Sequence, residues 1–151
     1  KLGPRAYLRW LRSLGVRYVV LAHAPPDYSS RAEAKLVRSG RAGLIPAFAT
    51  NALTIYEVPH ARPIVTGPER PRLTALTANE IGVTVRRGGT YRIAVRYSPY
   101  WAASDGCLTN GRDGMLRLRT AAARRVQLVF QVNAERAFDA LTGERPHCAL
   151  R

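Results

Sequence analysis

The residues of this chain best suited to chemistry are an aromatic cluster and the polar groups that follow it. Tyr97, Tyr100 and Trp101 flank the Ser98-Pro99 turn, and Asp105, Asn110 and Asp113 come shortly after. A pyranose ring has an apolar face that stacks on an aromatic side chain, while its hydroxyls bond to carboxylates and amides. Exposed on the rim of a β-sheet, Tyr100 and Trp101 would form the stacking platform. Asp105, Asn110 and Asp113 would take the hydroxyls. The competing reading is structural: Tyr97 continues a core face and Trp101 plugs the end of the fold, because aromatic side chains bury large areas.

Other chemistries find less support. Asp105-Gly106 and Asn110-Gly111-Arg112-Asp113-Gly114 hint at an oxygen-ligand calcium loop. They lack the alternate-position ligands and closing glutamate of an EF-hand, and Asn-Gly and Asp-Gly are ordinary turn dipeptides. Asp105 and Asp113 as a glycosidase pair would have to face each other across a cleft, which nothing in the sequence builds. His23, His60 and His147 have no metal-ligand spacing. His23 does end a predicted strand beside Pro25-Pro26, where α/β folds present ligand residues. Phosphate loops, nucleophile elbows and dinucleotide fingerprints are absent. The reading therefore assigns no catalytic residue, no metal and no cofactor.

The two cysteines, Cys107 in a glycine loop and Cys148 near the end of the chain, are expected to pair. In the chain-entropy model such a bridge contributes about 4 kcal/mol, and it implies an oxidising compartment. Two unrelated thiols in a reducing compartment are the alternative.

These residues need a scaffold, and the composition supplies one. At 151 residues and 46% hydrophobic content the chain is globular, with material for one good core or two small ones. No apolar run approaches the roughly 18 residues of a membrane span, and no signal-peptide pattern is present. The opening at Lys1-Leu2-Gly3, without an initiator methionine, suggests a fragment of something larger. The net charge is +14, almost all of it arginine, since Lys1 and Lys35 are the only lysines. Residues 1–62 carry ten bases and three acids, and residues 63–151 carry fourteen bases and seven acids, so the charge divides evenly. No basic cluster exceeds a pair, as in Arg86-Arg87 and Arg124-Arg125. Dispersed arginines fit a solvated face and argue against a nucleic-acid site. Attraction to anionic lipid headgroups remains open.

The first third has α/β rhythm. Pro4 suits a helix start, and Tyr7, Leu8, Leu11 and Leu14 form an apolar stripe that Gly15 ends. Val16 to Ala22 is nearly continuous and β-branched, which predicts a strand covered on both faces. Ser30 and Glu33 are spaced as a capping box for a second helix, closed by Gly40. Leu44–Ala49 and Leu53–Val58 read as strands around a turn at Thr50-Asn51-Ala52. Residues 59–72 hold four prolines and a glycine and predict a rigid connector or sheet-edge segment. Beyond them the period becomes two: Ile81, Val83 and Val85, then a hairpin turn at Gly88-Gly89, then Tyr91, Ile93, Val95 and Tyr97. Leu116 and Leu118, and then Val126, Leu128, Phe130 and Val132, continue it, and Ala134–Leu141 reads as a helical turn or two. The predicted class is α+β: a small α/β module (α-β-α-β-β, residues 1–62) packed on an antiparallel β-sandwich (residues 63–151).

Leu14-Gly-Val-Arg-Tyr-Val-Val-Leu21, a helix ending in Gly40, Leu53-Thr-Ile-Tyr-Glu-Val58, and Tyr97-Ser-Pro-Tyr-Trp101 followed by Gly106-Cys107 together carry a resemblance. The chain resembles the extracytoplasmic C-terminal region of large bacterial polytopic membrane proteins of the GT-C glycosyltransferase type. Relatives often bear the label pyruvoyl-tetrahydropterin-synthase-related membrane protein. The resemblance implies a domain at the outer face of the cell membrane, beside a helical core that transfers sugars from a polyprenyl-phosphate donor. It carries over no catalytic residue, because the acidic residues of that chemistry belong to loops near the membrane helices. Large exported domains translocate largely regardless of charge, so +14 is compatible with that location. The pterin chemistry of the label needs a histidine metal site that these histidines do not supply. The implied partners are the membrane core of the parent chain and a glycan or polyprenyl-linked sugar; the net charge adds anionic lipid headgroups. A free-standing protein- or peptide-interaction module is the alternative, and a glycan hydrolase acting through Asp105 or Asp113 is the third reading.

Overall fold

The computed structural model describes residues 3–132. The chain separates into two compact units, Lys1–Pro63 and Ile64–Arg151. Each has its own core, and the class is α+β. The helical turns expected over Ala134–Leu141 lie outside the described residues.

In the first unit, helix α1 (Pro4–Ser13) starts at the proline predicted for it, and Gly15, at φ +70°, follows its end. Strand β1 (Tyr18–Ala22), helix α2 (Arg31–Arg38), and strands β2 (Ile45–Ala49) and β3 (Leu53–Glu57) follow. The three strands form one antiparallel sheet in the order β1-β3-β2. Tyr7 and Leu11 of α1 and Val37 of α2 pack with Val19, Leu21 and Tyr56, so the helices cover one face of that sheet. Its other face is open. Val20 is 61% exposed and Phe48 57%, and Tyr18 and Ile45 are exposed beside them. The prediction that β1 is covered on both faces is corrected. A sheet with two helices has cover for one side only, and a continuous apolar strand does not by itself reveal which layer is missing.

The capping box at Ser30 and Glu33 also fails to form. Ser30 makes no side-chain cap. Asp27 accepts hydrogen bonds from the Ser30 backbone N–H (2.7 Å) and the Ser29 hydroxyl (2.9 Å); the Ser30 side chain is the largest cause that holds its carboxyl below the usual range, and these two bonds add to it. Glu33 is used elsewhere: the fully buried Tyr7 donates its hydroxyl to Glu33 Oε1 at 2.6 Å, tying α1 to α2. Burial, and then this bond, push the phenol pKa upward.

The second unit is a two-layer sandwich. One sheet has the order β4-β7-β10-β9, made of β4 (Val65–Thr66), β7 (Gly89–Arg96), β10 (Met115–Thr120) and β9 (Cys107–Asn110). The other has the order β5-β6-β11-β8, made of β5 (Arg72–Leu76), β6 (Glu80–Val85), β11 (Arg124–Phe130) and β8 (Trp101–Ala103). Val65, Tyr91, Ile93, Leu108, Leu116 and Leu118 from the first meet Ile81, Val83, Val85, Val126, Leu128 and Trp101 from the second in a single core. The alternation read from the sequence positions these side chains inward, as the period of two requires. The Pro-rich stretch does supply sheet edges: β4 lies within it, and β5 starts at its last residue.

Gly88-Gly89 is not a hairpin turn. Strands β6 and β7 belong to opposite sheets, so these glycines form a corner between the layers. The chain changes layer again between Arg96 and Trp101, between Ala103 and Cys107, and between Thr120 and Arg124, where β10 gives way to β11. The dipeptide fits either structure; what decides is that β6 already pairs with β5 and β11.

Candidate functional site

Strand direction sorts the predicted site residues. Met115 at the start of β10 pairs with Arg96 at the end of β7, and Asn110 at the end of β9 pairs with Leu116. The Tyr97 backbone N–H donates to the Gly114 carbonyl at 3.0 Å. Tyr100, Trp101, Asn110 and Asp113 therefore share one end of the sandwich. Asp105 does not belong with them. It lies past the end of β8, where it pairs with Arg124 at the far end of β11. The five-residue climb from Arg124 to Val129 spans roughly 17 Å at strand rise.

The aromatic pair divides as well. Trp101 is 8% exposed and meets Phe130 edge-on at 5.3 Å, opposite it in the β8–β11 ladder. Its ring is committed to the core. Tyr100 is half-buried, also edge-on to Phe130 at 5.9 Å, and its carbonyl accepts from the Gln131 N–H. Of the proposed platform, Tyr100 is the more exposed ring, and the exposed Asn110 lies at the same end.

Asp113 is held by arginines. Its Oδ2 accepts from Arg92 Nε at 2.7 Å and its Oδ1 from Arg117 at 2.9 Å, with the Met115 N–H adding a third bond at 3.3 Å. The Arg92 bond is the largest cause of a carboxyl pKa lowered to about 2, and Met115 and Arg117 add to it. Arg92 and Arg117 face each other across the β7–β10 ladder, so the turn places Asp113 between them. Gly111 and Gly114 close that turn, with Gly114 N–H donating to Gly111 C=O at 2.8 Å. Among the described residues no group of three or more histidines, cysteines or acids could hold a metal ion.

The carboxyl of Asp113 stabilises the fold where it is ionised in both states, which is above about pH 4. That contribution fades as pH falls through its folded value of about 2. Asp113→Asn should therefore lower the thermal midpoint at neutral pH and flatten its dependence on pH between about 4 and 2. Parallel acid profiles for the two proteins would contradict the Arg92–Asp113–Arg117 clamp.

His23 is engaged through both ring nitrogens. Nδ1 donates to the Asn51 carbonyl at 3.0 Å, which leaves Nε2 to accept from the Thr54 hydroxyl at 3.0 Å. It fastens the end of β1 to the β2–β3 turn instead of facing a ligand. His147 lies outside the described residues. Cys107 is buried at the start of β9, and its expected partner Cys148 also lies outside the described residues.

Two hollows on the outer face of the sheet β5-β6-β11-β8 were not expected from the sequence. One, of about 520 Å³, is lined by Glu69, Arg70, Arg72 and Arg86. The other, of about 350 Å³, is lined by polar groups including Thr74, Glu80, Arg125 and Gln127. Linear spacing hides both, because Arg72 and Arg125 become neighbours only through their shared pairing with Thr84. No protein-family model, curated protein or solved structure matches this chain.

Proposed function

We propose that this chain is a non-catalytic extracytoplasmic domain of a bacterial integral membrane protein of the GT-C glycosyltransferase type. In this reading it supports the membrane core of its parent and engages glycan acceptor through Tyr100. The observation that carries the reading is the open apolar sheet face of the first unit, formed by Tyr18, Val20, Ile45 and Phe48. Contiguous apolar surface of this kind marks a contact with another body, and the membrane core of the parent chain is the body the resemblance supplies. Non-catalytic character is supported by the candidate acids, since Asp105 and Asp113 both sit in arginine ion pairs. A carboxyl with its pKa lowered to about 2 is a poor general acid at neutral pH. A Cys107–Cys148 staple belongs to the same proposal.

The free-standing interaction module draws on the same apolar face. It is less suited to strand addition at β2, where Pro46 and a bulge between Pro46 and Phe48 interrupt the edge. Sequence encoded on either side of this chain separates the two: apolar spans of about 20 residues are expected for the membrane domain, and polar flanks on both sides would sink it. For the glycan part, a glycan screen should find binding that Tyr100→Ala weakens about threefold to tenfold, the worth of an aromatic stacking contact. No binding, or binding indifferent to that change, removes Tyr100 from the proposal. The exported chain should also gain mass on reduction, whereas unchanged mass would remove the staple.

A further inference from the structure

The hollow lined by Glu69, Arg70, Arg72 and Arg86 lies at the end of the second unit opposite Tyr100, so it stands apart from the reading above. Three guanidinium groups border it. None of Arg70, Arg72 and Arg86 has an ion-pair partner among the described residues. Glu69, the one acid of the lining, is turned to Arg87 in an exposed contact at 3.8 Å. Like charges gathered without counter-charge repel one another, and an anion between them relieves that repulsion.

The backbone beneath the arginines is strained. Glu69 and Arg70 are consecutive non-glycine residues in the left-handed region, at φ +51° and +50°, between Pro68 and Pro71. Such residues cost roughly 1–3 kcal/mol each and persist where the surrounding structure holds them, often at ligand sites. Here the kink puts Arg70 on the same hollow as Arg72 and Arg86.

The sheet extends the site. Arg72 on β5 and Arg125 on β11 both pair with Thr84 on β6, so two arginines flank one threonine on the outer face. Arg125 also lines the second hollow, where Gln127 Nε2 donates to Glu80 Oε1 at 2.9 Å and Thr74 stands opposite. Its floor is Gly82, where a Cβ would come within 2.6 Å of Thr74 Oγ1. The two hollows thus adjoin through the Arg72–Thr84–Arg125 row: one is cationic, and the other offers hydroxyl, amide and carboxylate groups. Arginine forks match phosphate oxygens, and the polar hollow matches hydroxyl groups.

We propose that this face of the second unit binds a phosphate ester bearing hydroxyl groups, with the phosphate held by Arg70, Arg72 and Arg86. Arg125 bridges to the Thr74, Glu80 and Gln127 groups, which take the hydroxyls. The phosphate is either that of a small soluble ester or that of a lipid headgroup.

The test is titration of the 151-residue chain with inorganic phosphate, with glycerol 3-phosphate, and with vesicles of phosphatidylcholine with and without phosphatidylglycerol. The doubly substituted Arg72→Gln/Arg86→Gln protein is compared with Arg96→Gln/Arg119→Gln, which removes the same charge from the opposite sheet. Binding of glycerol 3-phosphate more tightly than phosphate, weakened about tenfold or more by the first pair and little by the second, supports a soluble ester. Binding confined to phosphatidylglycerol vesicles, with the same dependence on the first pair, supports a headgroup. Equal weakening by both pairs reduces the effect to net charge and overturns the proposal, as does the absence of binding to every probe. Either failure leaves the Tyr100 reading untouched, because no residue is shared.

Discussion

Tyr91→Ala should lower the stability of the second unit by about 3–5 kcal/mol, the range for removing a large aromatic from a packed core. Tyr91 is fully buried between the sheets, and its hydroxyl donates to the Arg87 carbonyl at 2.7 Å. The two contributions separate by substitution. Tyr91→Phe keeps the ring and loses one neutral hydrogen bond, at a cost of about 1 kcal/mol. Because the chain has two units, a signal averaged over both would blur the transition. A Trp10→Phe background leaves Trp101 as the sole tryptophan, and it lies in the core being tested. Guanidinium unfolding followed by its fluorescence should show a much lower midpoint for the alanine protein and a slightly lower one for phenylalanine. An unchanged midpoint for Tyr91→Ala would mean that Tyr91 does not hold the two sheets together.

That core was legible because its strands are long enough to show a period. Strands β6, β7, β10 and β11 run six to eight residues and alternate cleanly. Strands β4, β8 and β9 have two, three and four residues, too few for any period to appear. Strand β5 is long enough, but it is an edge strand with a bulge between Leu73 and Ala75, and it is mostly exposed. It therefore presents no apolar alternation. The missed short strands carry the site consequences. Because β8 is brief and ends at the layer crossing, Asp105 falls away from Tyr100 although only five positions separate them in sequence.

The candidate site was legible in the same uneven way. Residue type suggested that Trp101 was either platform or plug, and its place opposite Phe130 makes it plug. The clamp on Asp113 had a visible half, since Arg117 is four positions on; its other half, Arg92, becomes a neighbour only through the β7–β10 register. The arginine hollow had no linear signal at all. Arginines spread evenly along a sequence still gather when register puts Arg72 and Arg125 beside one threonine. Even spacing is thus weak grounds for calling a charge distribution featureless in a β protein, where pairing, not sequence distance, sets neighbours.

The layer crossing at Gly88 allows the sharpest test of topology. A Cβ on Gly88 would lie 2.2 Å from the carbonyl oxygen of Ala121 and 2.6 Å from its carbon. The obstacle is backbone, so no rotamer change relieves it. Ala121 follows the buried Thr120 and leads into β11, so moving it disturbs the start of a core strand. Exchanging glycine for alanine normally stabilises by about 0.4–1 kcal/mol through the unfolded state where the backbone permits it. Here overpacking should reverse the sign, and Gly88→Ala should cost about 3 kcal/mol. Urea midpoints of Gly88→Ala and its parent, read by Trp101 fluorescence in the Trp10→Phe background, measure the cost. If Gly88→Ala leaves the midpoint unchanged, the corners at Gly88 and Ala121 are not in contact. A hairpin at Gly88-Gly89 would then be restored as the better description, with β6 and β7 paired in one sheet.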